Sequence, residues 1–306
     1  MSEKLRGVVP PVITPLRADG SFDEASFERQ LERLIAAGVH GLFILGSSGE
    51  VAFSTTARRR EVMATTQRVV AGRVPVLVGV IDTQTERVIE HIKMAEEYGA
   101  DGVVATAPFY ALGGFAQVER HFRALREATQ LPIYAYDIPI CVHVKLPLDM
   151  LITLGQDGVI QGVKDSSGDD VNFRLLALRN EAVGHPLQLF TGHEIVVDGA
   201  YMSGADGSVP GLANVDPEGY VRQWNAFQAG DWEAVRAEQD RLADLMSLAF
   251  CARSIVGYGA GVGGFKTALW QMGVLETNAM PEPVAALTGD DAEAVRQVLL
   301  RHGLVS

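Results

Sequence analysis

The sequence predicts an α/β protein, a (β/α)8 TIM barrel with a C-terminal helical extension. Three observations lead there. Eight short β-type runs recur in the first 214 residues, helix-length amphipathic segments separate them, and the strand signal stops after Asn214. Strands that alternate with helices pair in parallel through right-handed crossovers. Runs that are apolar almost throughout suit strands covered on both faces. Eight such units match a barrel of ~250 residues; a doubly wound open sheet explains the count less naturally. The expected division is 1–214 for a barrel carrying the active site and 215–306 for a helical domain.

The runs follow in order. GVVPPVITPL (7–16) opens the chain, and FDEASFERQLERLIAAG (22–38) follows it with Phe27, Leu31, Leu34 and Ile35 at helical spacing. HGLFILGSSG (40–49) and VPVLVGVI (74–81) are the second and third runs, and TERVIEHIKMAEEYG (85–99) reads as a helix. Gly38 and Gly99 stand where helix C-terminal glycines belong. DGVVATAPFY (101–110), the helical VERHFRALREAT (118–129), LPIYAYDIP (131–139), GVIQGVKDSS (158–167), PLQLFTGHE (186–194) and ADGSVPGLAN (205–214) complete the barrel. Segments 216–229, 231–249, 264–275 and 290–302 read as helices of the extension.

Composition sets outer limits. Of 306 residues, 47% are hydrophobic and 21% charged, which fits a soluble protein with a substantial core. A formal charge of -12 argues against nucleic acid as a partner, because phosphate binding needs basic patches. No apolar run reaches the ~18 residues of a membrane helix. The opening MSEKLRGVVPPVITPL lacks the order of a signal peptide, so a cytoplasmic location is expected. Cys141 and Cys251 supply neither a disulfide framework nor a zinc pattern.

In a (β/α)8 enzyme the chemistry sits at the C-terminal ends of the strands. Those ends carry Thr14, GSSGE, Asp82, PFY, YDIP, KDSSGD, GHE and PGLAN. The sixth places Lys164 where an apolar strand runs into a polar loop, in a chain whose other lysines are Lys4, Lys93, Lys145 and Lys266. Three readings of Lys164 are open: an ion pair with Asp165 or Asp137, an anchor for phosphate or carboxylate, or a Schiff-base nucleophile. An amine attacks a carbonyl only when neutral, and burial disfavours the charged ammonium. GSSGE (46–50) follows a strand. Gly46 and Gly49 let backbone approach a ligand, and consecutive N–H groups with the Ser47 and Ser48 hydroxyls could form a carboxylate nest; an ordinary strand-to-helix turn is the plainer reading. Tyr136 ends the fifth strand, one βα unit before Lys164, where a phenol could relay protons or simply cap the core.

GSSGE, YDIP and GVKDSSGD, in register on successive strands, resemble the dihydrodipicolinate synthase / N-acetylneuraminate lyase superfamily. The likeness runs from GVVPPVITPL to FKTALWQMG. The resemblance implies a class I, pyruvate-type aldolase, synthase or dehydratase with no cofactor and no metal. It implies a homotetramer built as a dimer of dimers. By the same resemblance Lys164 is the Schiff-base lysine, Tyr136 relays protons, Ser47 and Ser48 hold the 2-oxo carboxylate with Ser47 also in the relay, and Tyr110 reaches the neighbouring subunit's site. The expected ligands are a 2-oxo acid and an aldehyde.

The sequence departs from the family in one telling place. Synthases that make dihydrodipicolinate usually carry an arginine two residues after the proline of YDIP, where Cys141 stands here. A thiol cannot make a bidentate carboxylate contact. Weight therefore moves from dihydrodipicolinate synthase toward a lyase or dehydratase whose distal substrate half is polyhydroxylated or aromatic. Asp137 replaces the family's usual asparagine. Glu194 and His193 in GHE are candidate contacts for substrate hydroxyls, with a supporting role behind the pocket or a solvent-facing one equally open. Val209 would make the pocket wall apolar beside Asn214. GYGAGVGG (257–264) matches G-x-G-x-x-G without a preceding strand and reads as a loop, hinge or helix start, and Lys266 in FKTALWQMG reads as structural. The scattered histidines do not suggest a metal-dependent aldolase. A catalytically idle relative that binds a 2-oxo acid is the reading from a different class.

Overall fold

A computed structural model describes residues 4–306; the first three residues of the stretch read for a signal peptide lie outside it. Eight strands form one sheet: β1 (Gly7–Val8), β2 (Leu42–Ile44), β3 (Val76–Gly79), β4 (Gly102–Thr106), β5 (Ile133–Asp137), β6 (Gly162–Asp165), β7 (Gln188–Thr191) and β8 (Gly207–Ser208). Every pairing is parallel, and the order β1-β8-β7-β6-β5-β4-β3-β2 is that of a barrel opened between β1 and β2. That gap is closed just past β1. The Val12 N–H donates to the Phe43 carbonyl (2.8 Å) and the Phe43 N–H to the Pro10 carbonyl (2.9 Å), which makes a parallel bridge between Pro11 and Phe43. Closure leaves no sheet edge free for aggregation.

The helices surround the sheet. They are α1 (Glu24–Ala36), α2 (Thr56–Val70), α3 (Thr85–Glu97), α4 (Phe115–Ala128), the single turn α5 (Pro139–Val142), α6 (Leu148–Gln156), α7 (Asp170–Ala182), α8 (Val197–Ser203), α9 (Pro217–Gln228), α10 (Trp232–Leu245), α11 (Tyr258–Gln271) and α12 (Gly289–Arg301). Local chemistry sets several starts. Asp23, Thr55, Asp169, Asp216 and Asp231 each accept a backbone N–H from the first turn that follows. Both sheet faces are covered, so every residue of β2, β4, β5 and β6 is buried.

Two expectations change. The glycine-rich 257–264 is not a loop: α11 begins at Tyr258 and includes it, six residues earlier than the periodicity placed that helix. Packing requires the glycine at 264, because a Cβ there would sit 2.7 Å from the Leu248 carbonyl oxygen of a neighbouring 3-10 turn. Asn214 is no pocket-lining group. Its fully buried amide accepts from the Ile13 N–H (3.1 Å) and donates to the Pro11 (2.9 Å) and Gly211 (2.8 Å) carbonyls, tying the first strand segment to the last.

Candidate active site

Parallel pairing of β5 with β6 puts Tyr136 opposite Lys164 and Asp137 opposite Asp165. Side chains alternate across a strand, so the first pair shares one face of the sheet and the second the other. Lys164 is only 5% exposed. Its Nζ stands 4.1 Å from the centroid of the Tyr136 ring and 4.9 Å from that of Phe43. The ion-pair reading fails on geometry, since Lys145 takes both aspartates, with its Nζ on Asp137 Oδ2 and 3.2 Å from Asp165 Oδ2. Lys266, the other deeply buried lysine, pairs with Glu50. Among the described residues, Lys164 makes no ion pair. Gly192 leaves it room, because a Cβ there would lie 3.2 Å from Lys164 Cε and 2.1 Å from Ser166 Oγ.

GSSGE forms the turn after β2. Leu45 (φ 54°) and Glu50 (φ 59°) bracket it in left-handed conformations that cost a non-glycine residue energy. Gly49 is held where a Cβ would lie 2.9 Å from the Leu45 nitrogen and 3.0 Å from the Val12 carbonyl oxygen. The turn is pinned from three directions. Thr14 Oγ1 donates to the Gly49 carbonyl (2.7 Å), the Tyr258 hydroxyl of α11 donates to the Ser47 carbonyl (3.0 Å), and Lys266 Nζ lies 2.7 Å from Glu50 Oε1. Burial pushes the Glu50 carboxyl up and the Lys266 ammonium down, and each is held toward its charged form by the other. The Ser47 and Ser48 side chains are half-buried and make no hydrogen bond among the described residues, so both hydroxyls are free for a ligand.

The remaining candidates divide. Cys141 is exposed on α5; burial of its thiol raises its pKa, and the nearby Lys164 charge opposes that. Val209 is buried at the end of β8. Glu194 is not a free contact: its Oε2 accepts from the Leu212 N–H (2.8 Å) after β8, and burial raises its pKa against that bond and the charge of Lys164. The His193 Nδ1 lies 3.1 Å from Asp170 Oδ1. Asp82 turns to α3, where Arg87 (2.7 Å) and His91 (3.0 Å) hold it; burial opposes ionisation, yet these contacts keep the carboxyl well below its ordinary range. Tyr110 stands off the surface at 92% exposure with φ 71°, far from any partner in its own chain. No group of three His, Cys, Asp or Glu side chains is placed to hold a metal among the described residues.

A family model described as the dihydrodipicolinate synthetase family matches residues 4–302. The chain belongs to this family. An uncharacterized DapA-like lyase of Halobacterium salinarum is 35% identical over 304 residues, covering 98% of this chain and 95% of that one. The 4-hydroxy-tetrahydrodipicolinate synthase of Phenylobacterium zucineum is 34% identical over 249 residues, 81% of this chain and 83% of its own. Among solved structures, YagE of E. coli K12, a dihydrodipicolinic acid synthase family member solved with pyruvate, superposes with a TM-score of 0.92 at 25% identity, over 99% of this chain and 100% of that one. The fold is therefore that of the dihydrodipicolinate synthase barrels with their C-terminal helical part, and family membership makes the chain a lyase or aldolase of the class I type.

Sequence reasoning missed Phe43, Lys145 and Tyr258 as members of the site, and took Lys266 for a helix residue with no link to it. Lys266 did leave a signal: a lysine on an otherwise apolar helix, FKTALWQ, asks for a buried acid. Phe43 left none beyond its place three residues before the nest-forming turn.

Proposed function

We propose that the chain is a Schiff-base lyase that cleaves or forms a carbon–carbon bond next to a 2-oxo acid. The observation that carries this reading is Lys164, buried at a barrel strand end with no acid partner and with the Tyr136 ring 4.1 Å away. The substrate carboxylate would sit in the turn Gly46–Gly49 against the Ser47 and Ser48 hydroxyls. The neutral amine adds to the keto carbon, and the phenol of Tyr136 carries the proton that lets the carbinolamine oxygen leave as water. The resulting iminium is cationic, and the π faces of Tyr136 and Phe43 stabilise a cation at that place. The iminium draws electrons from the neighbouring carbon. As the C4 hydroxyl gives its proton to the relay, the C3–C4 bond breaks, releasing an aldehyde and leaving an enamine; the relay returns a proton to C3, and water adding to the resulting iminium releases pyruvate and restores the amine. Ser47 and a Tyr110 supplied by a second copy would extend the relay, which accords with Tyr110 projecting from its own chain. On this reading the working unit is at least a dimer, and a homotetramer is the proposed assembly.

The distal half of the substrate lacks a guanidinium partner, since Cys141 occupies the place of an arginine. A sugar acid or an aromatic aldehyde suits that mouth better than a second carboxylate. Loss of a 3-hydroxyl as water uses the same acidified carbon, so a dehydratase is the neighbouring reaction. The test is borohydride reduction in the presence of pyruvate, read by peptide mass spectrometry. An adduct on Lys164, absent in Lys164→Ala, is expected. An adduct on another lysine, or none with any 2-oxo acid, overturns the reading.

A further inference from the structure

One cluster beside the site has no part in the chemistry above. Asp137 and Asp165 face each other across β5 and β6, one residue beyond Tyr136 and Lys164. Asp137 is fully buried and Asp165 is 5% exposed. Like charges in register on neighbouring strands destabilise a sheet. Here one ammonium lies between them: Lys145, from the segment joining α5 to α6, contacts Oδ2 of both. The other two oxygens are also used, Asp137 Oδ1 by the Leu146 N–H (3.2 Å) and Asp165 Oδ1 by the Ser167 N–H (2.8 Å). All four carboxylate oxygens are thus satisfied by one cation and two loop amides. Buried charge of this kind is weak stabilisation, because desolvation offsets most of the attraction. Its distinctive consequence is geometric. It fixes the two strand ends that carry the phenol and the amine, and it does so on the face of the sheet away from the substrate.

We propose that Lys145 is a positioning residue: by joining Asp137 to Asp165 it sets the spacing of the β5 and β6 ends and keeps Tyr136 against Lys164. This rests on the Schiff-base reading above. Without Lys145 the two carboxylates repel, and the strand ends separate unless one of them keeps a proton. Asp137 is the one inclined to do so. Burial, helped by the neighbouring Asp165, raises its pKa to about 6 even with Lys145 lowering it. The charged groups around the cluster are these two aspartates, Lys145 itself, and Asp169 at the start of α7, which feels the Lys145 charge.

The assay needs no knowledge of the aldehyde. Exchange of the pyruvate methyl protons in D2O, followed by proton NMR, reports enamine formation. For Lys145→Met, kcat of exchange should fall about 10- to 100-fold, the cost of a small misplacement of reacting groups. The pyruvate KM should change little, because the carboxylate nest lies on β2. The deficit should grow as pH rises through and above the Asp137 titration and shrink below it. Lys145→Arg should restore most of the rate, and Asp137→Asn in the Lys145→Met background should remove the pH-dependent part of the loss. That double variant carries no unpaired carboxylate pair, so it reads the proposal even if Lys145→Met folds poorly. A kcat within about twofold of native for Lys145→Met overturns the proposal, as does a loss equal at every pH and untouched by Asp137→Asn. If native protein traps pyruvate on Lys164 while Lys145→Met behaves as native, only the positioning role falls; if native protein traps nothing, the functional reading falls first.

Discussion

Lys266→Met should be among the most damaging substitutions outside the proposed catalytic pair. Lys266 is fully buried and Glu50 is 2% exposed; the ammonium lies 2.7 Å from Glu50 Oε1 and donates to the Ala279 carbonyl at 2.9 Å. Met matches the volume of the lysine stem, so the packing survives and the charge balance does not. Removing one member of a buried pair costs ~3–5 kcal/mol, because the other charge stays buried without compensation. The loss depends on pH in a fixed direction. Glu50 already sits above its ordinary carboxyl value through burial, and without Lys266 it rises further. A carboxyl whose folded pKa is raised contributes stability below its unfolded pKa and loses it as pH rises through the folded value. The gap between native and variant should therefore be small near pH 4.5 and full by pH 8. For a chain of this size each kcal/mol moves Tm by roughly 2 °C, so the expected drop at pH 8 is about 6–10 °C by scanning calorimetry. Glu50→Gln added to Lys266→Met should recover most of it. The pyruvate KM should rise in the single variant, since Glu50 closes the turn that carries Ser47 and Ser48. A Tm within about 2 °C of native at pH 8 would refute the reasoning, because it lies below the smallest loss a broken buried pair allows.

Two further outcomes are expected. Tyr136→Phe keeps the ring beside Lys164 and removes the hydroxyl, so pyruvate exchange should fall about 10²- to 10⁴-fold with KM little altered; an unchanged exchange rate would remove the phenol from the relay. His121, 2% exposed and 3.0 Å from the Thr85 hydroxyl, is pushed down by burial from 6.5 to about 4, so it contributes stability above pH 6.5 that is lost as pH falls through 4. That contribution is at most about 3 kcal/mol, and His121→Gln should flatten the acid side of the stability profile over that interval in urea titrations; an unaltered slope would count against it.

Much of the barrel was readable because its signals are local. Apolar runs alternated with amphipathic helices, and a lysine interrupting the sixth run marked the strand end on which the proposed chemistry depends. What escaped was set by partners distant in sequence. GYGAGVGG allowed a helix start only as one of several readings, because its glycines weaken helix propensity; at Gly264 a neighbouring 3-10 turn passes too close for a Cβ. Asn214 looked like a pocket residue because it follows a strand end, yet its amide is consumed by backbone of residues 11 and 13. Glu194 follows a strand end as its position suggested, and one of its oxygens is held by the Leu212 amide, a partner no local pattern announces. Lys145 was invisible because no pattern links a loop lysine to two aspartates on neighbouring strands. Cys141, by contrast, was informative as an absence, and the structure leaves it exposed at the β5 end.

The bond between Asn214 and the segment after β1 also has a bearing on how the molecule comes into being. The two partners are 201 and 203 residues apart. At synthesis rates of about 5–20 residues per second, the opening strand leaves the ribosome roughly 10–40 s before the residue that secures it. Throughout that interval the side of β1 that pairs with β8 is an unfinished edge, exposed to neighbouring nascent chains. Contacts this distant in sequence also slow the search for the native state once the chain is complete. Yield in a crowded translation system should accordingly be governed by the last strand and its asparagine more than by Lys164, whose strand pairs with β5, its immediate predecessor in sequence.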